Sequence, residues 1–173
     1  MRIFSYLGHI PRVHSKATVM SGVRMSGDVT IEEGVNIWFN ASLRGDMAKI
    51  IVGKNTNIQD NAVIHTNTDM PTIIGSHITI GHGAIIHAAT IHDHALIGMG
   101  AIILDGAIVE EYAMVGAGCL VPPGKVVPKN TLVVGNPMKI VRELTKEEIE
   151  ANQKNVEVYL QMAEEMRKHA HTH

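Results

Sequence analysis

The 173-residue sequence predicts an all-β domain, a parallel β-helix built on a six-residue repeat and followed by a C-terminal α-helix. Three observations lead there. An aliphatic residue recurs at every sixth position through most of the chain, glycines cluster between these beats, and a capping motif opens a helical pattern near the carboxyl end. An alternating sandwich would show period 2 instead, which this pattern lacks.

Residues 1–12 carry no beat and read as a lead-in; the repeat occupies 13–140, and 141–173 hold the helix and a frayed tail, all within one domain. The beat falls at Val13, Val19, Met25, Ile31, Ile37 and Leu43, slips by three residues, and restarts at Val52, Ile58 and Ile64. After a second slip it resumes at Ile74, Ile80 and Ile86. One residue is then dropped before Ile91, and the beat runs on to Val133. Four places after most beats stands a small or β-branched residue, among them Ala17, Val23, Ala62, Ala84, Ala95, Ala113 and Cys119, that can point inward without crowding. Each hexad is too short to bury a core alone, so hexads must stack, three to a coil, giving about six or seven coils. Gly75, Gly81, Gly98, Gly100, Gly116 and Gly118 lie between beats, where corners turn tightly. Thr145-Lys146-Glu147-Glu148 forms a capping box, after which Ile149, Val156, Leu160 and Ala163 share one face, to pack on a wall of the prism or on a neighbouring subunit. The tail from Lys168 to His173 reads as solvated.

Composition excludes several classes. A net charge of −2 with scattered Lys and Arg leaves no basic stripe, and 3% aromatics leave nothing to stack on bases, so nucleic acid is not an expected partner. No apolar run is long enough to span a bilayer, and Met1 to Arg12 lack an apolar leader segment, so the expectation is a cytoplasmic protein without membrane association. Cys119 falls on a core position and reads as a buried small hydrophobe.

Histidines carry the chemistry. Beats three steps apart occupy one wall, a coil apart, at about 4.8 Å. Leu43, Ile64 and Ile86 form such a series, so the residues that follow them, Arg44, His65 and His87, stack outward in one column. Two imidazoles so placed can share one metal ion. On the adjacent wall the beats Ile58 and Ile80 are followed two places later by Asp60 and His82, with Gln59 beside Asp60. His82 therefore lies around a corner from His65 and His87, and would join them only from another subunit, as three prisms around a threefold axis allow. A three-histidine set leaves an open coordination position, the mark of a catalytic centre. His77 and His94, at corner positions of the remaining wall, read as solvated turn residues, as do His92, His9 and His14.

The ordered segments Arg44-Gly45-Asp46, Asn57-Ile58-Gln59-Asp60-Asn61, Val63-Ile64-His65 and Gly81-His82-Gly83-Ala84-Ile85-Ile86-His87 resemble those of the γ-class carbonic anhydrases and their bacterial relatives in the hexapeptide-repeat superfamily. The resemblance covers nearly the whole chain. It implies a left-handed β-helix and a homotrimer holding Zn²⁺, or Fe²⁺ in the cell, between subunits. It further implies reversible hydration of CO₂ to bicarbonate, with His65, His82 and His87 as metal ligands and Gln59 near the activated water or substrate. Arg44 and Asp60 look like the pair that bridges the interface, with Asp46 supporting them. Tyr159 matches a tyrosine of the shorter relatives that approaches the metal site, and a core or interface role fits it equally.

This chain departs from the best-known active members by carrying Met47 where they carry a glutamate, and by a short loop, Thr66 to Ile73, whose one carboxylate is Asp69. Proton export needs an acid or base in reach, so turnover is expected to be slow, dependent on metal identity, or absent. Two other functions fit the fold. One is an acyltransferase or acyl-CoA thioesterase in which a histidine serves as general base without metal. The other is a catalytically silent trimer that keeps a metal to hold its interfaces.

Overall fold

Within each short strand one side chain faces inward and its neighbour outward, because successive residues of a strand point to opposite sides. In Ile102–Ile103 and Leu120–Val121, for example, the first residue is half-buried and the second fully buried. The computed structural model, which describes residues 1–169, winds these strands into a three-sided prism of parallel sheets. The C-terminal residues 170–173, including the tail histidines at 171 and 173, lie outside the described residues.

Each side has seven rungs. The first side stacks Arg2–Phe4, the leading halves of the long strands Arg24–Ile31 and Ser42–Val52, then Val63–His65, Ile85–His87, Ile102–Ile103 and Leu120–Val121. The second stacks Arg12–Val13, the trailing halves of the same long strands, Thr72–Ile74, Thr90–Ile91, Ile108–Val109 and Val126–Val127. The third stacks Thr18–Val19, Asn36–Ile37, Asn57–Ile58, Thr79–Ile80, Leu96–Ile97, Met114–Val115 and Thr131–Val134. Register follows the beat without exception: Met25, Leu43, Ile64, Ile86, Ile103 and Val121 stand one above another on the first side. These side chains fill a single core that runs the length of the prism. Each fully buried Ile or Leu contributes about 1.5–3 kcal/mol by leaving water.

Where the beat slips, the chain does something specific. At the first slip it does not leave the sheet: Ser42–Val52 turns the corner as one strand, with a register shift opposite Gly27. At the second slip it leaves the wall after His65 as a tight excursion in which Asn67 and Met70 pair antiparallel. At the dropped residue Ala88 takes a left-handed backbone (φ 49°).

Two boundaries differ from the sequence reading. Residues 1–12 are not merely a lead-in, because Arg2–Phe4 pairs in parallel with Arg24–Ser26 and supplies the first rung of the first side. At the other end Lys139–Glu143 folds back antiparallel on Thr131–Val134, so a strand intervenes before the helix, which runs Lys146–His169. Its capping box forms as read: the Glu148 N–H donates to Thr145 Oγ1 at 3.2 Å, and the Thr145 N–H donates to Glu148 Oε2 at 2.9 Å. Both terminal nitrogens of Arg142 also donate to the Glu148 carboxylate, each at 2.7 Å. These bonds hold the Glu148 carboxyl at about 2, well below the usual range, Arg142 contributing most. The helix lies along the third side of its own chain, burying Val156 and Ala163 and closing a second cluster with Met20, Trp38, Phe39 and Tyr159. Among the described residues no helix is long and apolar enough to cross a membrane.

Candidate metal centre

Strand pairing places Arg44 beside His65 and His65 beside His87 on the outer surface of the first side. The column expected from the beat is therefore present. The two imidazoles turn toward each other, with His65 Nδ1 and His87 Nε2 3.1 Å apart and ring centroids 5.0 Å apart.

Each of these rings has its other nitrogen on a carboxylate. His65 Nε2–H donates to Asp46 Oδ1 at 3.0 Å, and His87 Nδ1–H donates to Asp105 Oδ1. Asp46 in turn accepts from Arg44 through its second oxygen, and Asp105 accepts from Asn67 Nδ2 at 2.7 Å. Burial pushes the Asp46 carboxyl up, but the hydrogen bonds from His65 and Arg44, with the charge of Arg44, outweigh it and hold the group below the ordinary carboxylate value. The hydrogen bond from His87 does the same for Asp105, against a smaller burial effect and with help from Asn67. Both carboxylates are thus acceptors at neutral pH.

That arrangement fixes the tautomers. With the outer N–H groups of both rings committed to carboxylates, His65 Nδ1 and His87 Nε2 face each other as acceptors, a contact that a metal cation or a shared proton between them makes favourable. Their 3.1 Å separation is close to the ~3.3 Å edge of a tetrahedron drawn on metal–nitrogen bonds of ~2.0–2.1 Å. A carboxylate behind the ring is the usual outer support of a metal-ligating histidine. The donor set fits a divalent ion.

His82 stands around the corner, on the third side, as its place in the repeat requires. It too is backed by a carboxylate, with Nδ1 2.8 Å from Asp60 Oδ2. Its free Nε2 lies 3.5 Å from the Tyr159 hydroxyl, which the C-terminal helix carries to this spot. Tyr159 meets Trp38 edge-on, centroids 5.4 Å apart, so the ring that bears this hydroxyl is fixed. Burial, and then the charge of Asp60, raise the Tyr159 pKa, keeping the hydroxyl protonated and able to donate. Gln59 is only 4% exposed and fully engaged: its Nε2 donates to Asn57 Oδ1 at 3.1 Å, and its Oε1 accepts the His82 N–H at 3.2 Å. Asn57 donates onward to Thr79 Oγ1 at 2.9 Å, so a buried polar chain anchors the backbone at His82.

Among the described residues no three His, Cys, Asp or Glu side chains of one chain gather around a common point. Within the chain Arg44 and Asp60 do not meet each other either. Arg44 is engaged by Asp46 and Asp60 by His82. Two carriers of the site were not read from the sequence, Asp105 and Asn67. Asp105 is 18 residues past His87 at a corner of the next coil, and its only signal was an acidic residue following a beat by two places, as Asp60 does. Met47 and Asp69 are both exposed, Asp69 at the tip of the Asn67–Met70 turn with φ 56°. His77 and His94 do occupy turn positions, with φ of 57° and 64°, but they are half-buried. Their rings stack at 5.2 Å, and His94 stacks on Tyr112 at 4.7 Å, a packed corner column in place of the solvated one expected.

Comparison with known proteins gives the following. The family model described as bacterial transferase hexapeptide (six repeats) matches residues 88–123. The chain is 49% identical to a carbonic anhydrase of Geobacillus kaustophilus over 147 residues, 85% of this chain and 81% of that one. It is 42% identical to mitochondrial gamma carbonic anhydrase 2 of Arabidopsis thaliana over 160 residues, 89% of this chain and 58% of that one. A solved structure of a hexapeptide transferase family protein from Anaplasma phagocytophilum superposes with TM-score 0.91 at 43% identity, covering 94% of this chain and 96% of that one.

Proposed function

The chain belongs to the γ-class carbonic anhydrase-like family of hexapeptide-repeat proteins, and from that premise we propose that it catalyses the reversible hydration of CO₂ to bicarbonate at a metal centre shared between subunits of a homotrimer. His65 and His87 of one subunit and His82 of the next would hold the ion, Zn²⁺ or Fe²⁺. When bound, it supplies Lewis acidity that makes hydroxide available near neutral pH for attack on the carbon of CO₂.

The chain's own residues do the rest. Asp46, Asp60 and Asp105 set which nitrogen of each ring is free, so no ring has to reorient to bind. Arg44, half-exposed beside Asp46, would pair with the Asp60 of a neighbouring subunit and close the interface over the site. Tyr159 brings a protonated hydroxyl beside His82. Gln59 keeps the backbone at His82 in register. With Met47 in place of a shuttle glutamate and Asp69 at an exposed tip, proton departure is the expected slow step.

One observation carries this reading: three histidines on two sides of the prism each have one ring nitrogen on an aspartate and the other nitrogen turned outward from it. A general base would need one such histidine, whereas a metal explains three. The test is stopped-flow CO₂ hydration by anaerobically prepared protein reloaded with Zn²⁺ or Fe²⁺, in a His171→Ala/His173→Ala background that removes adventitious ligands. Metal-dependent hydration lost in His87→Ala supports the proposal; none at full metal occupancy refutes it.

A second reading rests on a groove of about 340 Å³ that starts at His82 and Tyr159 and runs between the third side and the helix past Leu96, Met99 and Met114. Its lining suits an aliphatic acyl group, with the His82–Asp60 pair as general base taking a proton from a water that attacks the thioester carbon while the C–S bond breaks and the CoA thiol leaves. Acyl-CoA turnover by metal-free protein, lost in His82→Ala and kept in His87→Ala, would favour it.

A further inference from the structure

We infer that Asp105, held in place by Asn67, is the positioning residue that makes His87 a metal ligand, and that the short loop after His65 exists in this chain to supply that hold. The inference rests on the metal reading above. The two carboxylates behind the His65–His87 pair differ in their second partner. Asp46 divides its two oxygens between His65 and the cation Arg44. Asp105 has no Lys or Arg partner among the described residues; its oxygens go to His87 and to the neutral amide of Asn67. Its charge is therefore directed at one imidazole.

The carboxylate is rigidly mounted. The carbonyl of Asp105 accepts the Gly124 N–H at 2.8 Å, and the next residue, Gly106, donates its N–H to Ala88 at 2.7 Å, so the coils above and below both clamp the corner. On the loop side, Asn67 and Met70 exchange backbone hydrogen bonds of 3.1 and 3.0 Å, and Asn67 Oδ1 accepts the Thr68 N–H at 2.8 Å. That last bond fixes the amide so that its Nδ2 faces Asp105. The Met70 methyl reaches within 3.5 Å of the position a side chain would take at Gly106, seating the loop on the corner. The sequence from Thr66 to Pro71 thus forms a bracket: one end carries His65, and its Asn67 steadies the support of His87.

The consequence is chemical. An imidazole without a fixed partner divides its proton between two nitrogens and turns about its bond to the backbone. Asp105 commits the proton of His87 to Nδ1 and so leaves the lone pair on Nε2, the atom that faces His65 Nδ1 across 3.1 Å. Removing the carboxylate while keeping its shape should weaken metal binding without unfolding the prism.

The experiment measures Zn²⁺ affinity of the full chain by competition with a chromophoric chelator, and the visible absorption of the Co²⁺-loaded protein, in the His171→Ala/His173→Ala background. Asp105→Asn is expected to bind about 10–100-fold more weakly and to alter the Co²⁺ spectrum, with the melting temperature of metal-free protein held. Asn67→Ala, which touches no ligand, should give a smaller loss of about 2–10-fold, the worth of one hydrogen bond. Asp93→Asn, on a corner aspartate that accepts the Ser76 N–H instead, should leave affinity and spectrum unchanged. Affinity within twofold of wild type and an unaltered spectrum in Asp105→Asn, with His87→Ala losing the ion, would overturn the role of Asp105 alone. Tight binding retained in His87→Ala would overturn both this role and the metal centre.

Discussion

Gly27→Ala should damage the metal centre from a residue that touches none of its ligands. Gly27 has φ +78°, and a Cβ built on it would lie 2.1 Å from the carbonyl oxygen of Gly45 and 3.1 Å from the nitrogen of Asp46. The obstacle is backbone, so no side chain can swing aside. The left-handed conformation costs an alanine about 1–2 kcal/mol, and forcing the overlap adds about 1–3 kcal/mol. Gly118→Ala is the control: its φ is +66° and nothing lies within 4 Å of the added carbon, so it incurs the conformational cost alone. The reduced freedom of the unfolded chain is common to both and cancels. For a domain of this size about 1–3 kcal/mol corresponds to a melting temperature lower by roughly 2–12 °C. The peptide that must move is Gly45–Asp46, and Asp46 orients His65, so Zn²⁺ affinity should fall in Gly27→Ala and hold in Gly118→Ala. Differential scanning fluorimetry and chelator competition on both variants check this. Equal melting temperatures, or equal affinities, would refute the reasoning that backbone contact at Gly27 sets the position of Asp46.

Two further outcomes follow from the geometry. His82→Ala should remove metal from every subunit although His65 and His87 remain, and the metal content of purified protein checks it; wild-type content in that variant would eliminate a shared site. Glu148, at about 2 in the folded chain, has its carboxyl well below its ordinary value because of Arg142, so its contribution to helix docking is present above about pH 4.5 and is lost as pH falls toward 2. Far-ultraviolet circular dichroism melts across that window should show the loss in wild type and a flatter dependence in Glu148→Gln.

The histidine column was legible because nothing but counting was required. His65 and His87 follow core beats that pair in register, and once Ile64 stands on Ile86 their outward neighbours must stand together. His82 was legible as lying elsewhere for the same reason. Asp105 was not, because its distance from His87 depends on how the corners between them turn. Tyr159 was placed near the site only by resemblance; its contact with His82 depends on the helix choosing the third side, through Trp38 and Met20, over a neighbouring subunit. The pairing of Asp60 with His82 was not read, and Asp46 was read only as a support of Arg44, for a related reason: charges on a surface take whichever partner the rotamers reach, and spacing does not rank them.

The sequence by itself determined the prism, its three sides, the register of every rung from Val13 onward and the walls on which His65, His82 and His87 stand. That information is local and repeated: each hexad states which residue is buried, and stacking only adds copies. The tertiary structure alone decided which nitrogen of each histidine is free, because that rests on hydrogen bonds between corners and excursions whose geometry no repeat encodes.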